Sequence, residues 1–204
     1  MIQKWDQQFC QIKMFGDKKT IIGITGTHAS GKDTVAEYIS KKYNLKGYST
    51  ADEVRYEATK LGLDHSRANL FVLANKIRDK FGKGELAKRA LNRAESNIAL
   101  VTSLRNVGEI EYLQKQSNFY LISVDGPIEI RYERAKNRER IGDGKTLEEF
   151  RAAEEKEMYA SESGQQLIPC MNLADYFVIN DGTLERLRAR TDEVMKAILS
   201  NKTR

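Results

Sequence analysis

Long apolar runs, proline and cysteine are all scarce in this chain of 204 residues. No run of 18 apolar residues occurs, which excludes a membrane-crossing helix read from sequence. The first residues, Met1 to Cys10, carry charge where a secretion signal needs an apolar stretch, so a cytoplasmic protein is expected. The two cysteines, Cys10 and Cys170, lie far apart with no metal-ligand spacing and read as reduced thiols. With two prolines, 40% hydrophobic and 31% charged residues, the profile is that of a helix-rich α/β protein. Its length suits one well-buried domain. Internal repeats and low-complexity linkers are missing too. Neither charge sign dominates: the net charge is +5, with a local cluster at Arg131, Arg134, Lys136, Arg138 and Arg140. A generally basic surface, a small polyphosphate or nucleic acid would each account for that cluster; apart from Tyr132 it lacks the interleaved aromatics that stack on bases, which counts against nucleic acid.

What is present is a phosphate cradle. The β-like run Thr20 to Thr25 leads into Gly26-Thr-His28-Ala29-Ser30-Gly31-Lys32-Asp33-Thr34, and a helix-like run continues to Tyr43. Two glycines let backbone N–H groups converge on an anion. The helix N-terminus adds positive dipole, and Lys32 adds a full charge aimed at the β- and γ-phosphates. A nucleoside triphosphate is therefore the expected ligand, and Thr34 is expected on an α-phosphate. The residue after Lys32 is Asp33, where the usual pattern has a hydroxyl for Mg²⁺.

The rest of the chain alternates. Strands are expected at 46–50, 97–102, 119–124 and 176–179. Helices are expected at 52–60 with Asp52 as N-cap, at 64–95 broken by Gly62 and Gly82-Lys-Gly84, and at 106–117, 128–138, 147–163 and 183–200. Residues 1–18 read as an extension in which Trp5, Phe9, Ile12 and Phe15 share a helical face. The polar stretch from Glu139 to Thr146 holds Asp143 as a turn residue between glycines. Such alternation implies a parallel sheet covered on both faces, with ligands beyond the carboxyl ends of the strands.

Those ends carry chemistry. After strand two stands Ser49-Thr50-Ala-Asp52-Glu-Val-Arg55, and after strand three Ser103-Leu-Arg105; one helix beyond strand four stand Arg131, Arg134, Arg138 and Arg140. Planar guanidinium groups grip phosphates in bidentate fashion, and phosphoryl transfer between two phosphate-bearing molecules needs several of them.

At these residues the chain resembles the P-loop nucleoside monophosphate kinase superfamily. Gly31-Lys32-Asp33-Thr34 is similar to the Gly-Lys-Gly-Thr of adenylate-kinase-like enzymes and to the Gly-Lys-Asp-Thr of phage-type deoxynucleoside monophosphate kinases. Ser49 to Arg55 resembles the adenylate kinase segment whose Thr and Arg contact the acceptor nucleotide. Ala174-Asp-Tyr-Phe-Val-Ile-Asn180-Asp-Gly182 looks more like dephospho-CoA kinases, in which the loop after the last strand lies against adenine.

The resemblance covers about residues 20–200. It implies a three-layer α/β/α fold with a five-stranded parallel sheet, a helical acceptor-binding insert at about 52–95 and a short lid at about 139–150. It further implies ATP and Mg²⁺. Relatives place an Asp at the end of strand three, which this chain lacks, so Asp33 or Asp52 is left to order the metal.

The expected site follows from both readings. Lys32, Arg105, Asp52 and the lid residue Arg138 carry the chemistry. Gly26, His28, Ala29, Ser30, Gly31, Lys32, Asp33, Thr34, Arg134, Asn180 and Gly182 bind ATP. Thr50, Asp52, Arg55 and Arg105 bind the acceptor. His28 is given no acid–base role, since this transfer depends on positioning. The expected activity is transfer of the γ-phosphoryl of ATP to a small nucleotide-like acceptor, most naturally a nucleoside or deoxynucleoside monophosphate. A dephospho-CoA kinase-like enzyme, with Asp52 as base, and a nucleotide-binding regulator without turnover are the alternatives.

Overall fold

The computed structural model describes residues 19–116, 118–137, 146–158 and 163–200. The expected extension 1–18 and most of the expected lid, including Arg138, Arg140 and Asp143, lie outside the described residues.

Five parallel strands form one sheet in the order β2-β3-β1-β4-β5. They are β1 (Thr20–Gly26), β2 (Gly47–Ser49), β3 (Ile98–Thr102), β4 (Asn118–Asp125) and β5 (Tyr176–Ile179). The central strand β1 is buried along its whole length. A strand covered on both faces reads as a continuous apolar run, as Ile21 to Ile24 does.

Among the described residues the helices are α1 (Lys32–Tyr43), α2 (Thr50–Lys60), α3 (Arg67–Phe81), α4 (Glu85–Asn92), α5 (Val107–Gln116), α6 (Ile128–Lys136), α7 (Leu147–Met158), α8 (Leu167–Asn172) and α9 (Leu184–Ser200). Helices α1 and α9 cover one face, where Val35, Ile39, Met195 and Ile198 pack on Ile22, Ile24, Ile122 and Val178. Helices α4, α5 and α8 cover the other, where Ala87, Ile110, Leu113 and Cys170 meet Ile21, Ala99, Val101 and Leu121. Burial pushes the Cys170 thiol pKa up, so it stays a neutral, inert thiol. A satellite core of Val54, Ala58, Leu73, Ala74, Ile77 and Leu86 binds α2, α3 and α4 into the helical insert. No helix of the described residues is long and apolar enough to cross a membrane.

Two local expectations are corrected. The cap of α2 is Ser49 rather than Asp52, which sits inside the first turn; a carboxylate there still faces the positive end of the helix dipole. The break expected at Gly82-Lys-Gly84 is present and separates two helices, α3 and α4. The first starts on Ser66, whose hydroxyl accepts from the Asn69 amide at 3.4 Å, and stops at Gly82 with φ 101°. Helix α8 was not expected from sequence. It contains Pro169, which a helix tolerates in its first turn, where no intrahelical N–H is required.

Candidate functional site

The loop between β1 and α1 is built by close backbone packing. A Cβ on Gly26 would stand 2.1 Å from the Val124 carbonyl oxygen, and its φ of 146° disfavours any side chain. Gly31, at φ 93°, is the N-cap of α1 and offers no side chain to the first-turn amides. The helix ladder begins at Val35, whose N–H donates to Gly31 at 3.0 Å. The earlier amides of the turn therefore face the loop as an anion cup. Lys32 is buried, with its ammonium donating to the Thr27 carbonyl at 3.4 Å. Asp33 and Thr34 are exposed on the first turn. The hydroxyl of Ser30 is buried within the loop without a hydrogen-bond partner, as suits a site that takes up a polar ligand.

Three distant segments hold this loop in shape. The Asn180 side-chain amide, just past β5, donates to the Ser30 carbonyl at 2.8 Å. Arg134 grips Asn180 in turn, on its carbonyl at 3.1 Å and its side-chain oxygen at 3.0 Å. Thr27 donates its hydroxyl to Asp125, at the end of β4, at 2.5 Å. On the third side, Glu154 of α7 accepts from the His28 amide at 3.3 Å, while Arg131 of α6 donates to the His28 carbonyl at 3.1 Å. Arg131 and Glu154 form a buried two-pronged ion pair. Phe150 packs on Ala29 and sits 5.6 Å from the His28 ring.

This corrects one sequence expectation. Arg131, grouped above with the phosphate-gripping arginines, has its guanidinium taken up by Glu154, Gly126 and His28, with Asp125 at 3.5 Å. Asp125 is the loop-contacting acid that sequence reasoning passed over. It follows the strand expected at 119–124, and β4 lies beside β1 in the sheet, which sets its carboxylate next to Thr27.

A crevice of about 1420 Å³ opens from the loop between α1 and the helical insert. His28 and Asp33 line its loop end, and Thr50, Asp52, Arg55 and Arg105 line the far part, with Phe71 and Leu70 of α3 as an apolar wall. The expected acceptor residues are thus brought together with the phosphate loop. Their present partners differ. Thr50 is buried, its hydroxyl donating to the Ser103 carbonyl at 2.7 Å. Arg55 pairs with Asp52 at 2.5 Å, both exposed. Arg105 donates to the Gln165 side-chain oxygen at 2.6 Å. His65 of the α2–α3 turn and Arg67, the first residue of α3, also line the crevice and were not singled out from sequence. Gly182 lies exposed beyond Asn180. Among the described residues no group of three or more His, Cys, Asp or Glu side chains could hold a metal ion.

A parallel 2-3-1-4-5 sheet with a Gly-Lys loop after its central strand is the P-loop kinase fold, in three layers. Residues 25–151 match the AAA domain family, to which the chain belongs. Its relatives include a UPF0200 protein of Methanocaldococcus jannaschii, 33% identical over 186 residues, spanning 89% of this chain and 91% of the relative. A UPF0200 protein of Sulfurisphaera tokodaii is 33% identical over 180 residues, spanning 88% and 97%. Among solved structures, shikimate kinase from Acinetobacter baumannii in complex with shikimate superposes with a TM-score of 0.57 at 17% identity. That match covers 95% of this chain and 99% of the other.

Proposed function

We propose that the protein is an ATP-dependent phosphotransferase whose acceptor is a nucleotide-sized anion, foremost a nucleoside or deoxynucleoside monophosphate. The observation that carries this reading is a single crevice lined both by His28 and Asp33, on either side of the Gly31–Lys32 turn, and by Arg55 and Arg105. A donor's phosphates and an acceptor's phosphate would meet in line between them. Positioning and charge neutralisation, rather than covalent chemistry, do the catalytic work in such a transfer.

In this mechanism the cup amides and Lys32 hold the donor's phosphate tail. Arg105 and Arg55 hold the acceptor's phosphate, Arg55 exchanging its partner Asp52 for it. Asn180 and Arg134 keep the Ser30 carbonyl in place, and the loop after β5, through Gly182, would take the donor's base. The buried Ser30 hydroxyl and the side-chain-free cap at Gly31 fit a bound triphosphate. With no protein metal cluster among the described residues, Mg²⁺ would be held by phosphate oxygens and water, with Asp33 or Asp52 the acid to order those waters and Thr34 on an α-phosphate. It would supply charge neutralisation on the transferring group. Arg138 and the lid at about 139–150 are proposed to close over the donor and exclude water.

A hydroxyl acceptor of the dephospho-CoA type would require a general base, and Asp52, exposed on the crevice, is the acid in position for it. The test is a coupled ADP-release assay with ATP, Mg²⁺ and separate nucleoside monophosphates, deoxynucleoside monophosphates, dephospho-CoA and shikimate. Turnover with a monophosphate is expected. Turnover with dephospho-CoA alone selects the second reading. ATP binding without any turnover would leave a nucleotide-binding regulator, and no ATP binding would end the proposal.

A further inference from the structure

Glu109, on the first turn of α5, is wholly buried and divides its carboxylate between two tasks. One oxygen accepts from the Arg78 guanidinium, Nε at 3.1 Å and Nη2 at 2.9 Å. The other accepts from the backbone amides of Arg105 at 2.9 Å and Asn106 at 3.3 Å. Arg78 belongs to α3, the helix that contributes Phe71 and Ala74 to the crevice wall, and it lines the crevice itself. Its remaining nitrogen donates to the Ser163 carbonyl at 3.2 Å. The same short segment is held twice more: Gly164 accepts from the Asn106 amide side chain at 2.8 Å, and Gln165 accepts from the Arg105 guanidinium at 2.6 Å.

The geometry points to Arg78 and Glu109 as positioning residues that aim the Arg105 guanidinium and tie its aim to the acceptor-side helix α3. The chain of contacts is short and rigid. The fork of Arg78 matches one carboxylate oxygen, and that carboxylate fixes the Arg105 peptide from which the side chain departs. A displacement of α3 as an acceptor seats against its wall is passed through Arg78 to Glu109 and so to the Arg105 backbone. Arg78 does not itself serve as a phosphate ligand, because its charge is already matched by Glu109 inside the protein. This inference rests on the reading of Arg105 as an acceptor-phosphate ligand.

The experiment compares Glu109→Gln, Arg78→Lys, Arg105→Ala and the double variant Arg78→Met/Glu109→Gln with the wild type. The double variant removes both buried charges together, so it keeps a folded protein available if a lone buried charge unfolds the single variants. Steady-state constants are measured for ATP and for whichever nucleoside monophosphate the wild type phosphorylates fastest. The acceptor KM is expected to rise about tenfold or more, with the ATP KM within about twofold and Arg78→Lys failing to restore the loss. Adding Glu109→Gln to Arg105→Ala is expected to cause no further loss, since both act through one guanidinium. Equal rises in both KM values, or additive losses, would overturn the assignment.

The ¹⁵N signal of the Arg105 Nε–H, identified by its loss in Arg105→Lys, gives an independent readout. It is expected to shift or broaden in the folded double variant, and an unchanged signal would refute the positioning role. That signal decides the matter even if no monophosphate is turned over, in which case it is the proposed activity that fails.

Discussion

The side-chain amide of Asn180 lies 2.8 Å from the carbonyl oxygen of Ser30, joining the end of the last strand to the phosphate loop. The same amide nitrogen would stand 2.4 Å from a Cβ placed on Gly31. The shape of the loop and the bare cap of α1 are therefore linked through one buried side chain.

Gly31→Ala is expected to destabilise the fold by roughly 1–3 kcal/mol, from a side chain forced to positive φ against Asn180. Asn180→Ala, which removes the side-chain bond to the Ser30 carbonyl and the side-chain acceptor of one Arg134 nitrogen, is expected to weaken ATP binding with a smaller loss of stability. Urea unfolding and calorimetric titration with ATP and Mg²⁺ read the two effects separately.

Lys32→Ala removes the ammonium that the loop holds over Thr27. A charged hydrogen bond contributes roughly 1.5–3 kcal/mol, so ATP affinity should fall by about 10- to 150-fold while the melting temperature changes little. Unchanged affinity would mean that the triphosphate does not sit on this loop.

Glu154→Ala takes the two-pronged partner from the buried guanidinium of Arg131, whose side chain is 6% exposed, and leaves it the less buried Asp125 at 3.5 Å. Breaking a buried ion pair in this way costs about 3–5 kcal/mol. Urea unfolding should show that loss. ATP binding should weaken as well, because Glu154 also holds the His28 amide of the loop.

Ser103 adopts φ 64° just beyond β3, in the left-handed region. Ser103→Gly should leave stability unchanged or raise it by up to about 1 kcal/mol, since glycine takes that conformation without a Cβ penalty. Ser103→Val should lower it. Chemical denaturation of the pair checks the sign.

Asp192 on α9 accepts from Tyr38 at 2.8 Å, Lys42 at 2.6 Å and Tyr43 at 3.1 Å. Partial burial alone would raise its pKa, but the hydrogen bonds from Lys42, Tyr38 and Tyr43 hold the carboxyl below the usual range. A depressed folded pKa gives stability that is present above the unfolded value and lost as pH falls through the folded one. Asp192→Asn should thus melt below the wild type at pH 7, with the difference shrinking in acid below about pH 4. A constant difference across that range would contradict the linkage.

The phosphate loop was legible because its determinants are contiguous: apolar strand, two glycines, lysine, helix. The alternation of strands and helices was legible for a similar reason, since periodicity is written within each segment. Arg55 and Arg105 line one crevice because strand ends in a parallel sheet converge. Arg131 was misread because nothing near it announces Glu154, 23 residues away on another helix. Asp125 was passed over because its importance depends on which strand lies beside β1. Helix α8 escaped notice because six residues with a proline carry too little periodicity to register.

By itself, then, the order of residues determined the fold class, the anion cup and the set of cations available to it, all of which follow from local backbone chemistry. Only the tertiary structure decided which cations remain on the crevice and which are spent on the scaffold. That choice depends on long-range partners such as Asn180, Glu154 and Glu109. Burial makes an unmatched charge too costly to leave alone, so each buried guanidinium is committed to the carboxylate that the fold brings to it.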